Sequence, residues 1–170
     1  MRSNGGFVVN DAAFIASYFS AEKLAALLFM LVGAAAIAGA LWLLHRRSAW
    51  RGMAAPLVAV ALIQLVVGGT VALRSDAQSA RLQRLQRTDL AQFRAEELPR
   101  MKTVLTRFER YKAIELGLLA AGMALVVLLR NRQFWLAFGF GLVLQSGLML
   151  TLDFFAQLRA HSYFKAILGA

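Results

Sequence analysis

The chain has 170 residues, with 19 Lys and Arg against nine Asp and Glu for a formal charge of +10, and it contains no cysteine. Its hydrophobic fraction of 59% and mean hydropathy of +0.60 stand well above the roughly 45–50% apolar content of soluble domains, so the apolar blocks are expected in lipid. The missing cysteines exclude disulfides, thiolate metal sites and Cys nucleophiles, and two His leave little for a metal or cofactor site. The basic charge flanks apolar blocks and so points to anionic lipid headgroups rather than nucleic acid.

The opening MRSNGGFVVNDAAF has no basic region running directly into an apolar stretch and a small-residue cleavage site, so it does not read as a removable signal peptide. Residues 1–20 mix aromatics with sparse polar groups, as interfacial helices do. The first apolar block covers residues 24–44, with Ser20 as its expected N-cap and the small-residue run GAAAIAGA inside it. The second covers 54–73, with Pro56 fitting its first turn and Gln64, Gly68, Gly69 and Thr70 within. Residues 74–112 are too polar to span. Leu82, Leu85, Leu90 and Phe93 are their apolar positions, Thr88 is a candidate cap at a break, and Pro99 is expected to begin a second helix. From there Met101, Val104, Phe108, Tyr111 and Glu115 recur at three- and four-residue steps, the seam of a helix. This segment is expected to form an antiparallel helical hairpin continuing the second and third spans.

The third block, 114–129, falls short of the roughly 20 residues a span needs unless its helix begins earlier and carries Glu115 at the boundary. The fourth covers 134–152, and residues 154–170 read as a C-terminal amphipathic segment. HRRSAWRG and RNRQ are short, so the first and second helices, and the third and fourth, pair as antiparallel neighbours. The expected fold is all-α: a single domain, residues 1–170, built as a four-transmembrane-helix bundle whose second and third helices extend into the polar hairpin. Trp42, Trp50 and Trp135 mark one membrane interface, and Tyr18, Tyr111 and Tyr163 the other. The tyrosine side carries Arg2, Lys23, Arg159, Lys165 and the ten basic residues of 74–112. Counted without subtracting acids, that side is cytoplasmic; counted by density, the acid-free loops with Arg46, Arg47, Arg51, Arg130 and Arg132 compete with it.

Polar residues inside the blocks are costly unless paired, which makes them functional candidates. Gly141, Gln145, Met149 and Asp153 share one face of the fourth helix, and Ala113, Gly117 and Ala121 form a small-residue ridge on the third that lets another helix approach. Gln64 and Gln145 are expected inside the bundle. Chain direction brings Arg74, Glu115, Asp153 and the Glu22–Lys23 pair to one interface, with Arg110 and Arg159 near. This collar reads as a neutralised set of ion pairs, as a polar pocket for a ligand, ion or proton, or as a lipid-headgroup site. Its cations are expected to hold Glu115 and Asp153 ionised, which argues against a general acid. No metalloprotease, nucleophile-elbow, phosphate-loop or dinucleotide motif occurs, and His45 and His161 read as surface residues, so no catalytic, cofactor or metal residue is assigned and the chain is not expected to be an enzyme.

In LIQLVVGGTVALRSD, LPRMKTVLTRFERYKAIE and LMLTLDFFAQLRAHSY the chain resembles a family of small, uncharacterised four-helix proteins of the bacterial inner membrane. The resemblance implies a multi-pass location in that membrane and singles out the Arg74, Glu115 and Asp153 neighbourhood, but supplies no substrate. The expected function is a non-enzymatic membrane interaction protein, such as a toxin-immunity or membrane-complex accessory protein. Leu82, Leu85, Leu90 and Phe93 would face a protein partner or a second copy. The alternative is a small-molecule or ion-binding membrane protein, or an oligomeric pore, using Arg74, Glu115 and Asp153.

Overall fold

The structure, a computed structural model, describes residues 12–47 and 49–169. Four helices account for nearly all of them: α1 Ala12–His45, α2 Ala54–Thr88, α3 Leu90–Leu128 and α4 Gln133–Gly169, with one 3-10 turn, Arg51–Met53, leading into α2. All four are long and apolar enough to cross a membrane. With 34 to 39 residues at 1.5 Å per residue, each helix is also nearly twice as long as a hydrocarbon core of about 30 Å needs.

Each helix is therefore continuous through two chemically different halves. The first half-helices of α1 and α3 and the last of α2 and α4 meet at one end. There Ile15, Phe19, Leu82, Phe93, Met101, Ala160, Tyr163 and Ile167 form a closed core. At the other half the same helices expose Leu31, Val66, Val127 and Leu128 outward, and a smaller core of Ala40, Ala54 and Leu57 lies between α1 and α2, with Leu43, Met53 and Val58 against it. α1 packs along α2 and α3 along α4, and α2 against α4 joins the two pairs. α1 and α3 are diagonal, and only long side chains bridge them: Tyr18 Oη to Met101 Sδ at 3.9 Å, and the Arg100 guanidinium over the Phe19 ring at 5.5 Å.

Several expectations change here. Ser20 is not a cap, because α1 begins at Ala12 and the Ser20 hydroxyl donates back to the Ser17 carbonyl at 2.9 Å. The break between α2 and α3 is a single residue, and its cap is Asp89 rather than Thr88: the Asp89 carboxylate accepts from the Gln92 amide at 2.9 Å. The Thr88 hydroxyl instead bonds the Arg84 and Leu85 carbonyls, closing the last turn of α2. Pro99 lies inside α3 on an exposed face; the helix bridges it because both flanking stretches are held by core contacts. The two terminal segments are not separate interfacial helices. Residues 12–20 and 154–169 are the ends of α1 and α4, turned into the closed core; residues 1–11 of the predicted N-terminal segment lie outside the described residues. Tyr18 and Tyr163 accordingly stack on each other, ring centroids 4.0 Å apart, inside that core rather than in a headgroup layer.

Close approach of the helices depends on glycine at a few positions. A methyl group on Gly139 would come within 2.8 Å of the Gly122 carbonyl oxygen, and one on Gly122 within 3.0 Å of the Gly139 oxygen, so α3 and α4 cross at backbone contact. Gly52 holds the start of α4 equally close, since a Cβ there would meet the Phe134 carbonyl oxygen at 2.3 Å. The ridge of Ala113, Gly117 and Ala121 is exposed and no other helix lies within 4 Å of a Cβ on Gly117. Gly122, one residue beyond that ridge, makes the intramolecular crossing instead.

Candidate functional site

Three polar clusters lie along the bundle. Midway, Gln145 Nε2 on α4 donates to Gln64 Oε1 on α2 at 2.7 Å, with the two residues 1% and 0% exposed. Gly33 of α1 makes room for the pair, since a Cβ there would stand 3.2 Å from Gln64 Cβ. In hydrocarbon-like surroundings an amide must find a partner or lose several kcal/mol of solvation, and the second glutamine is that partner.

The second cluster sits in the closed core and has no counterpart among the sequence-derived candidates. Glu97, 1% exposed, receives two hydrogen bonds from Arg100, Nε to Oε2 at 2.6 Å and Nη2 to Oε1 at 2.5 Å. With the Gln78 amide oriented so that its oxygen faces the guanidinium, that oxygen accepts from Arg100 Nη1 at 3.1 Å and Nε at 3.2 Å. The Tyr163 and Tyr18 rings stack beside this pair, and Phe14 stacks on Tyr163 at 5.4 Å. Burial, followed by the charge of Glu97, pushes the Tyr163 phenol well above its usual range, and burial, followed by Glu22, does the same for Tyr18. A bidentate Arg–carboxylate pair is the geometry in which a buried charge is best satisfied. The sequence signal was an acid and a base three residues apart on one helix, a spacing too common to single out.

The third cluster contains two of the sequence-derived candidates. Glu115 on α3 is 2% exposed, and neither of its carboxyl oxygens has a hydrogen-bond donor. The Asp153 carboxyl on α4 interacts with it. The two acids line a cavity of about 400 Å³ that opens between α3 and α4, walled by Phe108, Leu150, Phe154 and Phe155. Lys112 and Gln157 reach its rim. Both of these bind Glu109: Lys112 Nζ lies 3.1 Å from Glu109 Oε1, and Gln157 Nε2 donates to the same oxygen. Those two hydrogen bonds, Lys112's first, hold the Glu109 carboxyl below its usual range.

The collar predicted around these acids does not assemble. Arg74 is 3.8 Å from Glu22 on α1, whose Oε2 is buried without a hydrogen-bond partner, and Lys23 is 2.5 Å from Asp76 on α2, so these charges pair between α1 and α2. Arg110 points to the exposed side of α3, and Arg159 is half-buried farther along α4. Among the described residues no ion pair within 4 Å includes Glu115 or Asp153. The expectation that neighbouring cations hold both acids ionised therefore fails; helix rotation points Arg74 at α1 rather than at α3.

The predicted partner surface is also corrected. Phe93 is 0% and Leu82 4% exposed, and Leu85 and Leu90 pack against them in the closed core. The ends of α1 and α4 cover these side chains, which a two-helix hairpin would have left bare. His45 and His161 are exposed.

No family model matches the chain, and no curated protein or solved structure matches it. The site must be read from its own chemistry. Its centre is a buried carboxyl without a donor, Glu115, sharing one cavity with a second carboxyl, Asp153.

Proposed function

We propose that the chain is an integral, multi-pass protein of the bacterial inner membrane that binds a small cationic species at Glu115 and Asp153. The observation that carries this reading is Glu115: it is buried, both oxygens lack a donor, and it borders an open cavity. A buried carboxyl is either protonated or paired with a cation, and an acid at a membrane boundary is a functional candidate because leaving it unpaired is costly. The role we propose is binding rather than catalysis: the two acids share a cavity walled mainly by apolar side chains. The closed half, with the start of α1, the end of α4 and the Asp89 turn, faces the cytoplasm on the count of its basic residues. The test is thermal unfolding of the purified protein in mild detergent against a panel of monovalent and organic cations. Concentration-dependent stabilisation that vanishes in Glu115→Gln supports the reading, and indifference of the wild type to every cation overturns it.

A second reading, an interaction protein of the toxin-immunity or membrane-complex accessory kind, is favoured by the ridge of Ala113, Gly117 and Ala121. That face would admit another helix closely, from a partner or a second copy, and among the described residues no helix occupies it at Gly117. Gly117→Leu should leave the monomer's stability unchanged and abolish any complex formed there. Native mass spectrometry of both forms in detergent checks this.

A further inference from the structure

We infer that the cavity between α3 and α4 is a site for a lipophilic organic cation, one positive charge on an apolar body, whose charge sits against Glu115 and Asp153 and whose body lies on Phe108, Phe154 and Phe155. This deepens the proposed cation-binding reading and rests on it. Three features select this class over a bare ion. The volume, about 400 Å³, falls within the roughly 300–1,000 Å³ of small-molecule sites and far exceeds what one ion fills. The walls are aromatic and aliphatic, whereas a hard metal ion asks for about six oxygen ligands. An ammonium or phosphonium group gains instead from ring faces as well as from carboxylates. Finally, Phe154 and Phe155 are 55% and 53% exposed on the outside of α4, level with the end of the fourth apolar block, so the mouth opens towards the lipid interface where such molecules concentrate.

Lys112 explains why the site can stay open without an internal counter-ion. It stands one turn before Glu115 on α3 and could pair with it, but its ammonium is engaged by Glu109 at 3.1 and 3.3 Å. Glu109 is in turn fixed by Gln157 of α4. Lys112 is thus engaged by Glu109, and the two inner acids are left for a ligand.

The experiment is equilibrium dialysis of the full-length protein in nonionic detergent with tetraphenylphosphonium as probe. One saturable site per chain is expected, weakened at least tenfold in Glu115→Gln and in Asp153→Asn, with helicity and melting temperature measured on every variant to establish folding. Lys112→Met should bind the probe as well as or better than wild type. Repeating the titration in nanodiscs of phosphatidylglycerol, with and without phosphatidylethanolamine, separates the two sources of this chemistry. Displacement by phosphatidylethanolamine assigns the site to a lipid amine, and unchanged binding to a free lipophilic cation. Absence of probe binding to wild type, or binding that both acid variants retain, overturns the inference. If small cations still stabilise the protein through Glu115 in that case, the proposed function stands and only the ligand class falls; if they do not, both fall. Probe binding that appears only in Lys112→Met would identify Lys112 as the site's own occupant and overturn it too.

Discussion

Replacing Gln145 by Leu should destabilise the bundle more than replacing Gln64 by Leu, although the two residues share one hydrogen bond. Leu has a volume close to that of Gln, so packing changes little and the polar groups left behind decide the outcome. In Gln145→Leu, Gln64 loses the donor to its Oε1, and its Nε2 already has no partner; a whole buried amide is then orphaned. In Gln64→Leu only Gln145 Nε2 loses its acceptor, and an unsatisfied donor disappears with Gln64. Each orphaned group costs about 1–3 kcal/mol in a water-excluded core, and interhelical hydrogen bonds within membranes give roughly 0.6–1.7 kcal/mol. We therefore expect a loss of about 2 kcal/mol for Gln145→Leu and about 1 kcal/mol for Gln64→Leu. The double variant should fall close to wild type, because no amide remains to satisfy. The measurement is reversible unfolding in mixed micelles of increasing SDS fraction, followed by circular dichroism and analysed as a double-mutant cycle. Additive losses, or a larger loss for Gln64→Leu, would refute the assignment of the pair as a mutually satisfying polar core.

Gly139→Ala should cost about 1–3 kcal/mol, because its methyl would stand 2.8 Å from a backbone oxygen of α3, whereas Gly147→Ala, with nothing within 4 Å, should be neutral or slightly stabilising; melting temperatures of the two compare them directly. Asp89→Ala removes the only side-chain cap at the α2–α3 break and should cost about 1 kcal/mol, with Asp89→Asn recovering most of it in the same assay. Alkaline titration should weaken the closed core through Tyr163. Its folded-state pKa is raised by burial, so the folded form holds the phenol proton more tightly than the unfolded chain does. That contribution is complete below pH of about 10 and is lost as pH rises beyond it. Tyr163→Phe should unfold at higher pH than wild type, and equal midpoints in far-ultraviolet circular dichroism would contradict this.

The four apolar helices, their pairing through short connections and the inward glutamines were legible from residue order, because a run of about 20 apolar residues has few places to go other than a spanning helix. Glu115 and Asp153 were singled out by cost alone: an acid inside an apolar block stands out whatever its neighbours are. Their partners were not legible. Arg74, Arg110 and Arg159 fall at the right depth, but depth along a helix is a matter of sequence distance, while facing is a matter of rotation about its axis. Arg74 faces Glu22 of α1, which leaves the two acids without it; neighbouring positions on a helix point about 100° apart, so depth alone could not tell this.

The closed core was missed for a related reason. Residues 12–20 and 154–169 look interfacial when each is read separately, and Leu82 and Phe93 look bare when 74–112 is read as a hairpin of its own. Only when four half-helices converge do Ile15, Phe19, Phe93 and Tyr163 bury one another, with Arg100 and Glu97 satisfied between them. By itself the sequence determined where the chain is apolar, how many helices are long and apolar enough to cross a membrane, and which polar residues are misplaced, since these depend on local composition and helical period. Tertiary structure decided which misplaced residues meet, which are neutralised and where a cavity remains, because each of those outcomes depends on the relative rotation of helices far apart in the chain.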